Sequence, residues 1–119
     1  MADKKMAIRS IWYEFEHAAE PFDALDGSAD VVFELTDGSQ WSAVFVTYRN
    51  IETLRRKNRL SGECLHGAYF CASDMILIEK LSKENILSVL NDLLRRNEIS
   101  AYCREDRQSL PSGGALSIR

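Results

Sequence analysis

The sequence predicts an α+β domain: an antiparallel sheet of four to six strands with two helices packed on it. Three stretches carry this expectation. Ile8 to His17 alternates apolar and polar residues at period two, the pattern of a strand with one face toward a core. Two further alternating runs flank Asp37-Gly38, the strongest short hairpin signal. Ser82 to Asn97 repeats Ile86, Val89, Leu90, Leu93 and Leu94 at helical spacing behind a capping serine, which reads as an amphipathic helix.

Taken in order, the first strand places Ile11, Tyr13 and Phe15 toward the core and Trp12, Glu14 and Glu16 away from it. Glu20 to Ser28 collects Pro21, Gly27 and Ser28 between acids and reads as a loop. The hairpin Asp30–Thr36 and Gln40–Tyr48 can be registered from parity alone. A two-residue loop would place the best apolar residues of the two strands on opposite faces. A three-residue loop Thr36-Asp37-Gly38 sets Phe33 opposite Trp41 and Val31 opposite Ala43, gathering Val31, Phe33, Leu35, Trp41, Ala43 and Phe45 on one side. This predicts a type I turn with Gly38 left-handed in a bulge. Val32, Val44, Val46 and Tyr48 make the other side apolar too, so helices are expected on one face and a partner subunit on the second.

Asn50 is the expected cap of a short helix through Leu60, with Ser61-Gly62 as its stop. Glu63 to Gly67 fits a loop or a strand. Ala68 to Leu81 reads as extended chain, bent at Ser73-Asp74, and its apolar run Met75 to Ile78 reads as a strand covered on both faces. Ile99 to Cys103 would add an edge strand. The domain is expected over residues 1–103, with 104–119, which contains Pro111-Ser-Gly-Gly, as a polar tail.

Composition narrows the function classes. At 119 residues a single domain buries enough apolar surface to need no metal, disulfide or cofactor for stability. No window approaches a membrane span, and the N-terminal residues show no secretory signal, so a cytoplasmic protein with reduced thiols and no membrane association is expected. Between Ser10 and Tyr48 there are eight carboxylates and no Lys or Arg. The net charge of −3 therefore leaves the rest of the chain at +5, much of it in Arg55, Arg56, Lys57 and Arg59.

No catalytic motif stands out. Cys64 and His66, with Asp74 to orient them, supply the residue types of a thiolate nucleophile and its base. Cys64, His66, Cys71 and Cys103 supply the number of donors in a closed zinc site but lack a Cys-x2-Cys pair. The basic cluster invites phosphate contacts, yet a pI near 5.4 and the acidic segment oppose a polyanion, so nucleic acid is not expected as a partner. What remains is the acidic, aromatic stretch. Trp12, Glu14, Glu16, Glu34 and Trp41 are the expected partner-binding residues, since charge-rimmed aromatics anchor protein interfaces and a negative patch steers a basic partner. The expected function is a non-catalytic protein-binding module, such as a small inhibitor or bacterial immunity-type protein recognising a basic protein. A thiol-dependent enzyme or sensor using Cys64 and His66, and a structural homodimer, are the alternatives.

Overall fold

The computed structural model of the chain describes residues 6–19 and 21–106. They form the expected α+β architecture, a five-stranded sheet with helices. The strands are β1 (Ile8–Tyr13), β2 (Ser28–Leu35), β3 (Gln40–Thr47), β4 (Met75–Ile78) and β5 (Arg104–Glu105). The helices are α1 (Tyr48–Ser61), α2 (Lys83–Arg95) and the single turn α3 (Ile99–Tyr102). Strands pair in the order β1-β2-β3-β4, and β5 shares the outer edge of β3 with β4. All pairings are antiparallel except β3 with β4, which is parallel. That exception follows from connectivity, because α1 and the segment after it carry the chain back to start β4 from the same end as β3.

The hairpin adopts the register that parity requires, with Phe33 opposite Trp41 and Val31 opposite Ala43. Gly38 N–H donates to the Leu35 carbonyl and Leu35 N–H to the Ser39 carbonyl, both at 2.9 Å. Gly38 sits at φ +91°, the left-handed position of a bulged three-residue loop, where a side chain would strain the backbone. β1 adds a second irregularity. Its register against β2 slips between Ile8 and Ser10, so a bulge at Arg9 turns both Ile8 and Ile11 toward the core although their parities differ.

The core lies on one face of the sheet. Tyr13, Ala29, Val31, Phe33, Leu35, Ala43, Phe45 and Ile78 meet Ile86 and Leu90 of α2, Ile99 of α3, Leu81 and Cys103. Helix α2 starts where its serine predicts, with Ser82 Oγ accepting from Asn85 N–H at 3.1 Å. It ends in a paired C-terminal motif, Glu98 N–H to the Leu93 carbonyl and Asn97 N–H to the Leu94 carbonyl, with Asn97 at φ +58°; asparagine tolerates this conformation better than most residues.

Several expectations are corrected. Glu14–His17 is a 3-10 turn, not the end of the first strand. Helix α1 begins two residues before Asn50. Its cap is Thr47, whose Oγ1 accepts from Asn50 N–H and also from Gly27 N–H, each at 3.1 Å. Ile99–Tyr102 is helical, and the edge strand forms two residues later at Arg104–Glu105, followed by Asp106 N–H donating to the Gln40 carbonyl. The expected tail beyond Asp106 falls outside the described residues.

The reading of β4 as a strand covered on both faces also changes. Ile78 is buried and Ile76 packs on the core, whereas Leu77 on the opposite face is 38% exposed. The reason lies in α1, which stands over this second face but buries only Asn58 among its fourteen residues. A helix that buries so little leaves room between itself and the strand below.

Glu63 to Gly67 is neither loop nor strand. Cys64, Leu65 and His66 take φ of 53°, 51° and 56°, a left-handed helical turn closed by Ala68 N–H to the Cys64 carbonyl at 2.9 Å. Each such residue costs roughly 1–2 kcal/mol relative to the right-handed form. Gly62 at φ +91° and Gly67 at φ +83° bracket the turn. Gly67 also lies so close to α1 that a Cβ there would stand 2.7 Å from the Arg55 carbonyl oxygen.

Candidate functional site

The five residues expected to bind a partner divide between two sides of the sheet. Trp12 and Glu34 share the face turned away from α2, because Trp12 lies across from Val32 and Glu34 is two residues further along β2. Trp12 stacks on His17 with centroids 5.1 Å apart and planes 10° from parallel. Its indole N–H is shielded from solvent without a hydrogen-bond partner among the described residues, an arrangement native structures rarely tolerate. Glu34 accepts from Ser10 Oγ at 3.3 Å and lies 3.5 Å from the Arg9 guanidinium. Glu14, at the end of the same strand pair, accepts from Asp30 N–H at 2.7 Å.

Glu16 and Trp41 are not part of this group. Glu16 pairs with Lys83 in the first turn of α2, and its hydrogen bond and charge hold the ammonium above its ordinary pKa. Trp41 packs against the core beside Phe33, its indole N–H donating to Ser39 Oγ at 2.9 Å. Strand parity places Trp12 and Trp41 on opposite faces, so the single aromatic face expected from sequence becomes a smaller group of Trp12, Glu14 and Glu34.

Asp23, Asp26 and Asp37 of the segment have local structural roles. Asp23 accepts from Leu25 N–H at 3.0 Å, and Asp37 accepts from Ser39 N–H and Oγ. Asp26 reaches across to α1, accepting from Asn50 Nδ2 and Thr53 Oγ1 at 2.9 Å each. These bonds, with the nearby charges of Arg49 and Arg56, hold its carboxyl below the usual range. The bonds to Asp26 and Asp37 stabilise their ionised forms, so these acids keep their negative charge while fastening a turn and a helix.

The thiol alternative finds its residues apart. Cys64 and His66 sit on the left-handed turn. Asp74 immediately precedes β4 instead, 3.9 Å from Arg104 Nε, lining a cavity of about 240 Å³ with Asp30, Ser42, Ser73 and Arg104. This cavity marks the place on β3 where its neighbour changes from β5 to β4. Cys103 is buried in the core, and burial, with the charge of Asp74, pushes its thiol up to about 12. Among the described residues, no three His, Cys, Asp or Glu side chains converge to hold a metal ion.

No known family model matches this chain, and no curated protein or solved structure does so either. Function therefore rests on the geometry of the chain itself. No helix of the described residues is long and apolar enough to cross a membrane.

One feature was not legible in the sequence: a groove of about 400 Å³ on the second face. Ile51, Arg55 and Asn58 of α1 form one wall, Gly67 to Phe70 a second, and Met75 with Leu77 of β4 the floor. Tyr69, Phe70 and Leu77 are exposed there. The one available sequence signal was Asn58, a polar residue seven positions after Ile51 on the inner face of α1, which is only 7% exposed. The basic cluster stands on the same helix, with Arg55 lining the groove and Arg56, Lys57 and Arg59 exposed.

Proposed function

We propose that the chain is a non-catalytic protein-binding module that recognises a basic protein through the β1–β2 end of the sheet face turned away from α2. The observation that supports this is the grouping of Trp12, Glu14 and Glu34 on that strand pair, within a segment of eight carboxylates and no cation. Helices α2 and α3 occupy the other face, so this is the side on which an aromatic anchor and a negative rim occur together. Such a field raises the association rate with a cationic surface and is screened by salt. A small inhibitor or immunity-type protein, which sequesters one target without chemistry, is the concrete form of this reading, and cytoplasmic residence is part of it.

The test removes charge while keeping hydrogen-bond acceptors. The wild-type chain and a Glu14→Gln, Glu34→Gln variant are used to capture proteins from the native lysate at low salt. A basic protein held by the wild type, with an association rate that falls in the variant and converges with it at high salt, supports the reading. Equal capture by both forms contradicts it. A second reading, a homodimer, has one observation in its favour: the basic outer surface of α1 and the acidic β1–β2 end lie on the same side of the sheet, so two copies in antiparallel contact would match opposite charges. Light scattering at high concentration separates the two.

A further inference from the structure

We propose that the groove between α1 and β4 binds a small carboxylate with an apolar body, its tail against Ile51, Phe70, Met75 and Leu77 and its anionic head toward Arg55 and Asn58. The site is independent of the acidic β1–β2 end. Its volume of about 400 Å³ falls in the range of small-ligand sites, which are apolar clefts with a few placed polar groups. The lining has that composition, with an aliphatic and aromatic wall and floor and two polar side chains on one helix.

Those two side chains indicate the head group. Asn58 is more than nine-tenths buried and lines the groove, yet its amide makes no hydrogen bond to any described residue. Nor is that amide among the polar atoms sealed from solvent, so its free donors and acceptor open into the groove. A buried amide in this condition calls for a partner beyond the described residues. Arg55 engages Glu52 through Nη1 at 3.0 Å, which leaves further guanidinium donors in the planar arrangement that suits a carboxylate. The neighbouring Arg56, Lys57 and Arg59 add positive potential around the opening. An anionic head is therefore favoured over a neutral or cationic one.

The shape favours a small molecule over a segment of another protein. The Gly67 backbone lies directly against the Arg55 carbonyl, so the groove is closed where the left-handed turn meets α1. A groove of this size that is blocked at one end suits a small molecule, whereas a docked helix needs a channel open along its length.

The experiment titrates the full chain with octanoate and with 1-octanol, read by calorimetry and by amide chemical shifts. The expected result is one octanoate per chain, with shifts centred on Gly67, Ala68, Phe70 and Leu77. Arg55→Gln, at a half-exposed position, should weaken octanoate about tenfold and leave octanol unchanged, since a charge-assisted pair is lost. Leu77→Glu, which sets a like charge in the floor, should weaken it further without touching either polar residue. The proposal is overturned if octanol binds as tightly as octanoate, if Arg55→Gln leaves octanoate affinity unchanged, or if the shifts fall elsewhere. Concentration-dependent shifts of the same amides without octanoate would assign the groove to a second copy and also overturn it.

Discussion

Replacing Gly67 with alanine tests how the left-handed turn is held against α1. Two costs combine at this position. At φ +83° an L-residue pays roughly 1–2 kcal/mol that glycine does not. The new methyl would also stand 2.7 Å from the Arg55 carbonyl oxygen and 3.4 Å from Arg59 N. Both neighbours are helix backbone and cannot swing aside as a flexible side chain can, so relieving the contact displaces the turn or bends α1, at about 1–3 kcal/mol more. The expected loss is thus about 2–5 kcal/mol, which at a urea slope of about 1–3 kcal/mol per molar lowers the midpoint by roughly 0.7 molar or more. Gly38→Ala is the matched control. Gly38 has a similar φ of +91° but no atom within 4 Å of the added carbon, so it should lose only the conformational part. Equal midpoint shifts for the two variants would refute the close-packing argument, and a Gly67→Ala loss below about 0.5 kcal/mol would refute both parts.

Three further outcomes are expected. Thr47→Val removes the acceptor that caps α1 and satisfies Gly27 N–H and should cost about 2 kcal/mol, with Thr47→Ser recovering most of it in the same urea assay. The folded pKa of Asp26 lies below its unfolded value, so its contribution is present above the ordinary carboxylate range and is lost as pH falls through the folded pKa. The stability gap between wild type and Asp26→Asn should accordingly narrow on acidification below about pH 4. For Cys103 the folded pKa is raised, from 9.0 to about 12. Its contribution is full below pH 9 and is lost as pH rises toward 12, so alkaline unfolding should be steeper in wild type than in Cys103→Ala, and alkylation of the native chain near pH 8 should reach exposed Cys71 while sparing Cys103.

The parts of the fold that were legible are those in which one residue pattern admits one solution. Parity fixed the hairpin, because only the three-residue loop puts Phe33 and Trp41 on the same face. The stripe from Ile86 to Leu94 fixed α2. The parallel β4 was hidden because Met75 to Ile78 reads alike in either direction, and its second face depended on how far α1 stands off, which no local pattern encodes. Cys64, Leu65 and His66 have no left-handed preference of their own. They are held there by Gly62, Gly67 and the contact with α1, a tertiary effect that overrides propensity. Of the expected binding residues, Trp12 and Glu34 came together because they share strand parity, while Trp41 was assigned to the hairpin core and to the partner surface at once, and packing against α2 took it. The groove drew on three segments distant in sequence, so only Asn58 hinted at it.

The central claim is that the Trp12, Glu14 and Glu34 group docks a basic protein. The most direct measurement is the association rate of the captured partner with the wild type and with the Glu14→Gln, Glu34→Gln variant at about 20 mM and about 500 mM salt. The account predicts a wild-type rate several-fold faster than the variant at low salt and equal rates at high salt. Rates that are equal at low salt, or a difference that salt does not diminish, would contradict it.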